Sequence, residues 1–471
     1  MKIEPLFGGS IASKSYVVSA QRRLNCYFEN RLDGDKTKVA VYGTPGMVLQ
    51  FSLPTTIRGM LGTQSSLYAV AGNTFYSLSS TGSTLYSTTI STGSGTVVMA
   101  GSASQMLFVD GSGAYLWDGT ACNPLVAAGF PYGAKTITFC SGYFVAEQPG
   151  SQKFWTSNVY DGSQWSALSF ASAAQYSDNI LAVDSLIGNL VLFSERHIEF
   201  WQNVGTSPEP FAPLLSATSE YGLAAIYSRA HIASTIIYVA ENPQGTAQVC
   251  QINGYQVTPI STPDLEYTMA QFSTVSDAVA LSYVIDGHPM YQVTFPTADR
   301  SFLYDVSTGI WSEVQTGVTA NYATRHIGNF STYYAGEILI SDYQNGNVYR
   351  PISDVYTDNG AVVLREIVTR HGSIDFNTFT IDEMYLDMST GVGLNTGQGS
   401  APLITLEVSK DNGRTYSTPR QLQVGPLGNY RQRVIARRFG SARDFVFRFR
   451  MSDPVKFVIT EGAVTVRKGD Q

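Results

Sequence analysis

No stretch of this chain is long and apolar enough to cross a bilayer, and no long stretch repeats its apolar residues at helical period, so neither a membrane span nor a helical bundle is expected. Charge is scarce too. Only 14% of the 471 residues are charged, and 30 Lys and Arg against 37 Asp and Glu give a net charge of −7, which excludes the cationic excess behind sequence-independent DNA binding. The four cysteines, Cys26, Cys122, Cys140 and Cys250, lie far apart with no CxxC pair, so they read as buried free thiols, neither a zinc site nor a disulfide frame. The five histidines, His197, His231, His288, His326 and His371, are dispersed without metal-ligand spacing and read as structural. HExxH, GxSxG and the Rossmann GxGxxG are missing. Gly8 to Ser15 approaches a phosphate loop through Lys14-Ser15, but Ser13 stands where the second glycine must let the backbone approach phosphate, so no cofactor is expected. The start Met1-Lys2-Ile3-Glu4-Pro5 lacks the apolar core of a signal peptide, and the expected site of synthesis is a cytoplasm.

What the chain does have is strand-forming residues and turn residues: 12% aromatic, with 28 Tyr and 24 Phe, and 43 Gly. Seven hairpin-like pairs of apolar runs recur. They are Leu67 to Ala71 with Thr74 to Leu78, Met106 to Asp110 with Ala114 to Trp117, Tyr143 to Ala146 with Phe154 to Thr156, and Leu190 to Ser194 with His197 to Trp201. Ile236 to Ala240 with Ala247 to Ile252, Met290 to Phe295 with Ser301 to Asp305, and Ile338 to Ser341 with Asn347 to Arg350 complete the series. The repeat is about 40 to 50 residues, the length of a propeller blade. A lone hairpin cannot bury both faces, but four-stranded units stacked round an axis can, so an all-β β-propeller of six or seven blades is expected over residues 51–358; a multi-strand sandwich is the alternative. One helix is expected around Thr262 to Phe272, where Thr262-Pro263-Asp264 can cap a turn before Leu265, Tyr267 and Met269.

Charge marks a second unit. From residue 361 onward 15 Lys and Arg face 11 Asp and Glu, a net of +4, which leaves −11 to residues 1 to 360. Strand-like segments at Ile381 to Asp387, Leu403 to Ser409, Gln432 to Arg437, Phe445 to Arg450 and Val455 to Val466 predict a C-terminal β-sandwich-like domain over 359–471, with Gly391 to Ser400 as a loop. Residues 1–50 read as an N-terminal arm that packs on something else. Within the sandwich, Ser409, Asp411, Gly413, Thr415 and Tyr416 fit the Asp-box pattern Ser-x-Asp-x-Gly-x-Thr-aromatic, a structural turn that recurs in glycan-cleaving propellers. Only one such box is present and no nucleophile with an arginine cluster can be picked out, so no enzyme is expected. Arg431, Arg433, Arg437, Arg438, Arg443, Arg448 and Arg450 crowd the last strands. Strand alternation puts Phe445, Phe447 and Phe449 on one face and Arg448 and Arg450 on the other, an outward row suited to a protein contact or, less well, to phosphate.

Gln21-Arg22-Arg23-Leu24-Asn25-Cys26-Tyr27, then Glu29 and Tyr42-Gly43-Thr44-Pro45-Gly46, resemble the opening of the packaged-DNA-stabilisation or tail-hub proteins of short-tailed phages. Glu195 to Trp201, Met388 to Val392, Asp411 to Tyr416 and Arg433 to Arg450 follow in the order that family shows. The resemblance implies a structural virion protein: a ring of copies, a hexamer, below portal and adaptor. It closes the DNA channel after packaging, contacts genomic DNA without reading its sequence, and anchors needle and tailspikes or fibres. Gln21, Arg22, Asn25, Tyr27, Pro45 and Gly46 are then candidates for a docking turn, and the arginines for a second contact. On that reading, removing residues 1 to 46 abolishes particle attachment and leaves the β structure intact. The acidic part would either face the exiting duplex and keep it from sticking or lie on the outer surface and serve solubility. A glycan-binding or glycan-hydrolysing propeller and a receptor-binding tail protein are the alternatives.

Overall fold

The computed structural model describes residues 11–31, 39–64, 66–317, 324–374 and 377–468. Seven sheets stand round one axis as blades. Blade one holds strands Ile57–Gly62, Leu67–Ala71, Thr74–Leu78 and Thr84–Thr89, and blade two holds Val98–Gly101, Met106–Val109, Ala114–Trp117 and Cys122–Pro124. Blade three spans Ile137–Cys140, Tyr143–Glu147, Lys153–Asn158 and Asp161–Ser172; blade four spans Ile180–Leu186, Asn189–Ser194, Ile198–Asn203 and Phe211–Ser219. Blade five centres on Thr235–Glu241 and Ala247–Asn253, flanked by Gly222–Leu223 and Ala230–Ile232 inside and Gln256–Pro259 outside. Blade six holds Val279–Ile285, His288–Phe295, Arg300–Asp305 and Ile310–Val314.

Blade seven is composite. Gly328–Tyr334, Glu337–Asp342 and Asn347–Ile352 are followed by Gly46–Ser52, a strand from nearly 300 residues upstream that pairs antiparallel with Asn347–Ile352 and closes the ring. All seven hairpins read from the sequence fall on the second and third strands of a blade. Those strands carry the clearest signal because they are buried on both faces: Leu67, Phe75, Phe108, Val191, Phe200, Ile236, Val293, Phe302 and Val348 are shut off from solvent. Each buried aromatic or aliphatic side chain of this kind contributes about 1.5–3 kcal/mol. Between blades one and two the rings interdigitate, with Phe75 stacked on Phe108 at 5.3 Å and Tyr86 against Trp117 at 4.8 Å. The single α-helix among the described residues, Pro263–Met269, starts where the sequence places it: Thr262 Oγ1 accepts the Leu265 N–H, Pro263 occupies the first turn, and Leu265 and Met269 face the core.

Beyond the propeller, two sheets face each other across a core that includes Phe28, Val41, Ile381, Met384, Phe445, Phe447, Phe449 and Ile459. One sheet runs Cys26–Asn30, Val39–Gly43, Val458–Lys468, Phe379–Met388, Val434–Ala442. The other runs Arg22–Leu24, Arg365–Val368, Asp444–Met451, Leu403–Ser409, Arg420–Gln423. Three of these ten strands lie within the stretch read as an arm. Residues 22–30 and 39–52 are therefore woven into both folds: first into the sandwich, then, from Gly46, into the last blade. The sandwich is also not separated from the propeller, because Arg22–Leu24 pairs in parallel with the outer strand of blade six and antiparallel with Arg365–Val368. One 10-stranded sheet thus runs from the inner edge of blade six to the far edge of the sandwich.

Candidate functional site

The joint between propeller and sandwich gathers most of the residues singled out near the N-terminus. Alternate positions of the continuous sheet carry opposite charges on one face. Arg300 Nη2 donates to Glu313 Oε2 at 2.9 Å, and Arg22 grips the same carboxylate with two bonds, at 2.7 and 3.1 Å. Arg22 also reaches Glu366 Oε1 at 3.2 Å. Two strands further on, Arg448 Nε donates to Glu407 Oε2 at 2.8 Å and Arg450 shares that carboxylate. Glu313, Glu366 and Glu407 are all buried. Burial works to raise the Glu313 carboxyl, but Arg22 and Arg300 outweigh it and hold it below the ordinary carboxylate range. Glu366, with less compensation, is pushed up by burial. Leaving any one of these groups without its partner costs more than the pair itself contributes, so the row fixes register across the joint.

Asn25 is the pivot beside this row. It sits in the left-handed region at φ 51°, a conformation that Asn tolerates better than most residues. Its amide donates to the carbonyls of Gln315 at 3.0 Å and Leu364 at 2.8 Å, and its Oδ1 accepts the Gln315 N–H at 2.9 Å. One side chain therefore ties the exit of blade six to the entry of the sandwich. Tyr27 is buried against His288 and Tyr42, with ring centroids at 5.2 and 5.8 Å. Gln21 is buried as well. Pro45 lines a small cavity of about 90 Å³ beside Tyr27, and the Gly46 N–H donates to the Val355 carbonyl at 2.7 Å; a Cβ on Gly46 would lie 2.4 Å from the Thr357 oxygen. The residues read as a docking turn thus face the interior of their own chain. Strand-partner choice across some 290 residues put them there, and no local pattern reports it.

The arginine row divides. Arg448 and Arg450 point away from the Phe445, Phe447 and Phe449 core as alternation requires, but that second face is covered: Arg448 lies 3.8 Å over the Tyr416 ring, and both arginines share the Glu407 carboxylate. Arg437 pairs with Glu383. Arg431, Arg433, Arg438 and Arg443 are exposed. The signal that could have found Glu313, Glu366 and Glu407 is a charged residue alternating with apolar ones inside a buried strand.

The Asp box forms as its pattern dictates. Ser409 Oγ donates to Asp411 at 2.7 Å, Asp411 accepts the Thr415 N–H at 2.9 Å and the Thr415 hydroxyl at 2.6 Å, and Gly413, at φ 83°, donates its N–H to Ser409 Oγ at 2.8 Å. Those hydrogen bonds hold the Asp411 carboxyl down at about 2, committed to its turn. Among the described residues no group of His, Cys, Asp and Glu has the geometry of a metal site, and no helix is long and apolar enough to cross a membrane. All four cysteines are buried free thiols, raised by burial. Of the phosphate-loop candidate, Gly8 lies outside the described residues; the Ser15 carbonyl accepts the Val18 N–H in a turn, and the Lys14 amine sits 5.6 Å over Tyr267.

The propeller axis holds a space of about 510 Å³ lined by inner strands of all seven blades, among them Met60, Phe139, Leu281 and Phe330. Its one charged cluster is Asp184, which accepts from Arg229 at 3.0 Å and His231 at 2.8 Å. A bore of this volume suits small molecules and is far too narrow for a duplex.

Fold and site together define a seven-bladed propeller locked to a β-sandwich by a shared sheet, the build of a structural part. The sequence matches the family profile described as bacteriophage P22 Gp10, beta-propeller, over residues 33–355, and that described as bacteriophage P22 Gp10, beta-sandwich, over residues 364–467. The chain belongs to the bacteriophage P22 Gp10 family of packaged-DNA stabilisation proteins and is a phage virion protein of that type. No curated protein matches it. Similar solved structures include the computationally designed Ika8 protein, at 12% identity, covering 65% of this chain and 100% of that one with a TM-score of 0.41. The WD40 domain of Neurospora crassa Pan2 is another, at 9% identity, covering 66% of this chain and 95% of that one, also with a TM-score of 0.41.

Proposed function

We propose that the chain is the tail hub of a short-tailed phage: a ring of copies, six in number, below portal and adaptor, which closes the channel on packaged DNA and anchors needle and tailspikes. It acts in the virion tail, is made in the host cytoplasm, and works without a reaction or cofactor of its own. The observation that carries this reading is the continuous sheet with its buried charge row, which makes propeller and sandwich one stiff body able to bear load between neighbours. The narrow axial bore supports a duplex route past the propeller, along the axis of the assembled ring. Residues 1 to 360 carry −11, so a face turned to that route repels DNA phosphates and speeds their passage.

Cosedimentation of the purified full chain with adaptor-bearing, hubless particles tests the assignment. Binding at one ring per particle, with restored retention of DNA, is expected. Failure to bind particles sinks the hub reading, and a ring lumen dominated by Lys and Arg sinks the repulsive-channel part of it.

A further inference from the structure

The strand order of a propeller puts two sets of turns on one face: those joining first to second strands and those joining third to fourth. On blades three to five that face exposes Val159, Tyr160, Ile187, Val204 and Tyr255, with Tyr160 at 67% and Ile187 at 68% exposure. They form one patch. Ser141 Oγ donates to the Gly188 carbonyl at 2.9 Å, Asn203 reaches the Ser141 carbonyl at 3.4 Å, and Asn189 Nδ2 donates to the Tyr255 hydroxyl at 3.1 Å. Tyr160 and Ile187 occupy left-handed backbone, at φ 55° and 48°. A β-branched side chain is an outlier there, and the equivalent first turn positions on blades three, five, six and seven hold Ser141, Ala233, Asp286 and Ala335. These turns and those of blade two carry Asp118 and, beside them, Asp161, both ionised by their turn donors, with Glu209 turned inward on Thr156 and the Phe211 N–H; no Lys or Arg is among them.

A second apolar cluster stands at the sandwich edge remote from the propeller. Residues 424–433 join Arg420–Gln423 to Val434–Ala442, the two edge strands farthest from blade six. They interlock with residues 389–402 through the Gly428 N–H to the Gly391 carbonyl at 3.1 Å and Thr390 Oγ1 to the Tyr430 carbonyl at 3.1 Å. This tip exposes Leu394, Leu427 and Tyr430, the last at 73%, beside Arg431 and Arg433, and the two loops contain no acid.

We propose that these surfaces are the two halves of one contact between copies, the basic apolar tip of one sandwich seated on the acidic apolar turns of the next propeller. Each half is apolar at its centre, and their charges are opposite. Like halves repel, so the contact is heterologous, tip to turns, and such contacts propagate until they close. Blades three and four stand three blades from blades six and seven respectively, the largest separation a ring of seven allows, so both halves can be occupied at once. A duplex does not fit the turns, which offer no cation, and the tip's apolar centre has no use for phosphate. The inference deepens the ring reading above, and rests on it only for closure.

Sedimentation of the full chain over a hundredfold concentration range decides. The wild type is expected to associate. Tyr160→Asn with Ile187→Asn removes the turn half while placing Asn, which suits left-handed turns, at both positions, so thermal stability holds or rises while association is lost. Leu427→Ser with Arg431→Glu removes the tip half with the same loss. Mixed, the two variants form one-to-one pairs and nothing larger, since each supplies the half that the other lacks. A monomeric wild type, variants that still associate, or a mixture without pairs overturns the proposal. In each of these cases binding to hubless particles still tests the hub reading by itself.

Discussion

Asp184 and His231 show how single side chains set the conditions under which the propeller is firmest. Asp184 is held at about 2: burial works to raise it, and His231 and Arg229 outweigh that, while His231 is raised mainly by the Asp184 charge. The depressed carboxyl contributes stability above its unfolded value of about 4, lost as pH falls toward 2. The raised imidazole contributes fully below its unfolded value of about 6.5, and that contribution is lost as pH climbs through the folded value. The brace between blades four and five is therefore complete between about pH 4 and about pH 6.5. Half of the His231 side chain is open to the axial space, so screening limits the effect to under about 1 kcal/mol. Urea midpoints of the wild type and His231→Gln, measured from acid to alkaline pH, are expected to differ most inside that window and to converge outside it. A constant difference would show that the ring nitrogens do not sense Asp184.

Among the elements, the closing strand Gly46–Ser52 and the three strands before it decide what a truncation does. Removal of residues 1 to 46 takes Arg22–Leu24, Cys26–Asn30 and Val39–Gly43 out of the sandwich and exposes the core around Phe28 and Val41. Loss of the cooperative melt and gain of apolar-dye binding are expected, in place of the intact β structure that a detachable arm would leave; an unchanged melt contradicts this pairing. Blade hairpins, the capped helix at Pro263–Met269 and the Asp-box turn were legible because each is a local pattern a few residues long. The placement of Arg22–Leu24 was not, since its partners Glu313 and Glu366 are about 290 and 340 residues away and its side chains look like those of any half-exposed strand. The arginine face was half legible. Alternation gave its direction, while Glu407 and Tyr416, which cover it, come from the neighbouring strand and from the turn that follows it.

At the scale of the whole molecule, a propeller and a sandwich of this combined size would ordinarily melt apart. The shared sheet argues for a single transition. Glu313→Gln leaves Arg22 and Arg300 without their common carboxylate, at a cost of about 2–4 kcal/mol after allowance for the partial exposure of both guanidiniums. Calorimetry is expected to show one peak for the wild type and two for this variant, with the sandwich melting first; a single shifted peak would mean that the backbone ladder alone couples the halves. The strand that shuts the ring also imposes a schedule. A ribosome releases residues 46–52 early, yet their partner 347–352 emerges some 300 residues later, and the last sandwich strand later still. Until then the nascent protein is an unlatched chain of blades whose sandwich tip, short of its last strand, cannot seat on a neighbour's turns, so a subunit presents both halves of the contact only once it is finished.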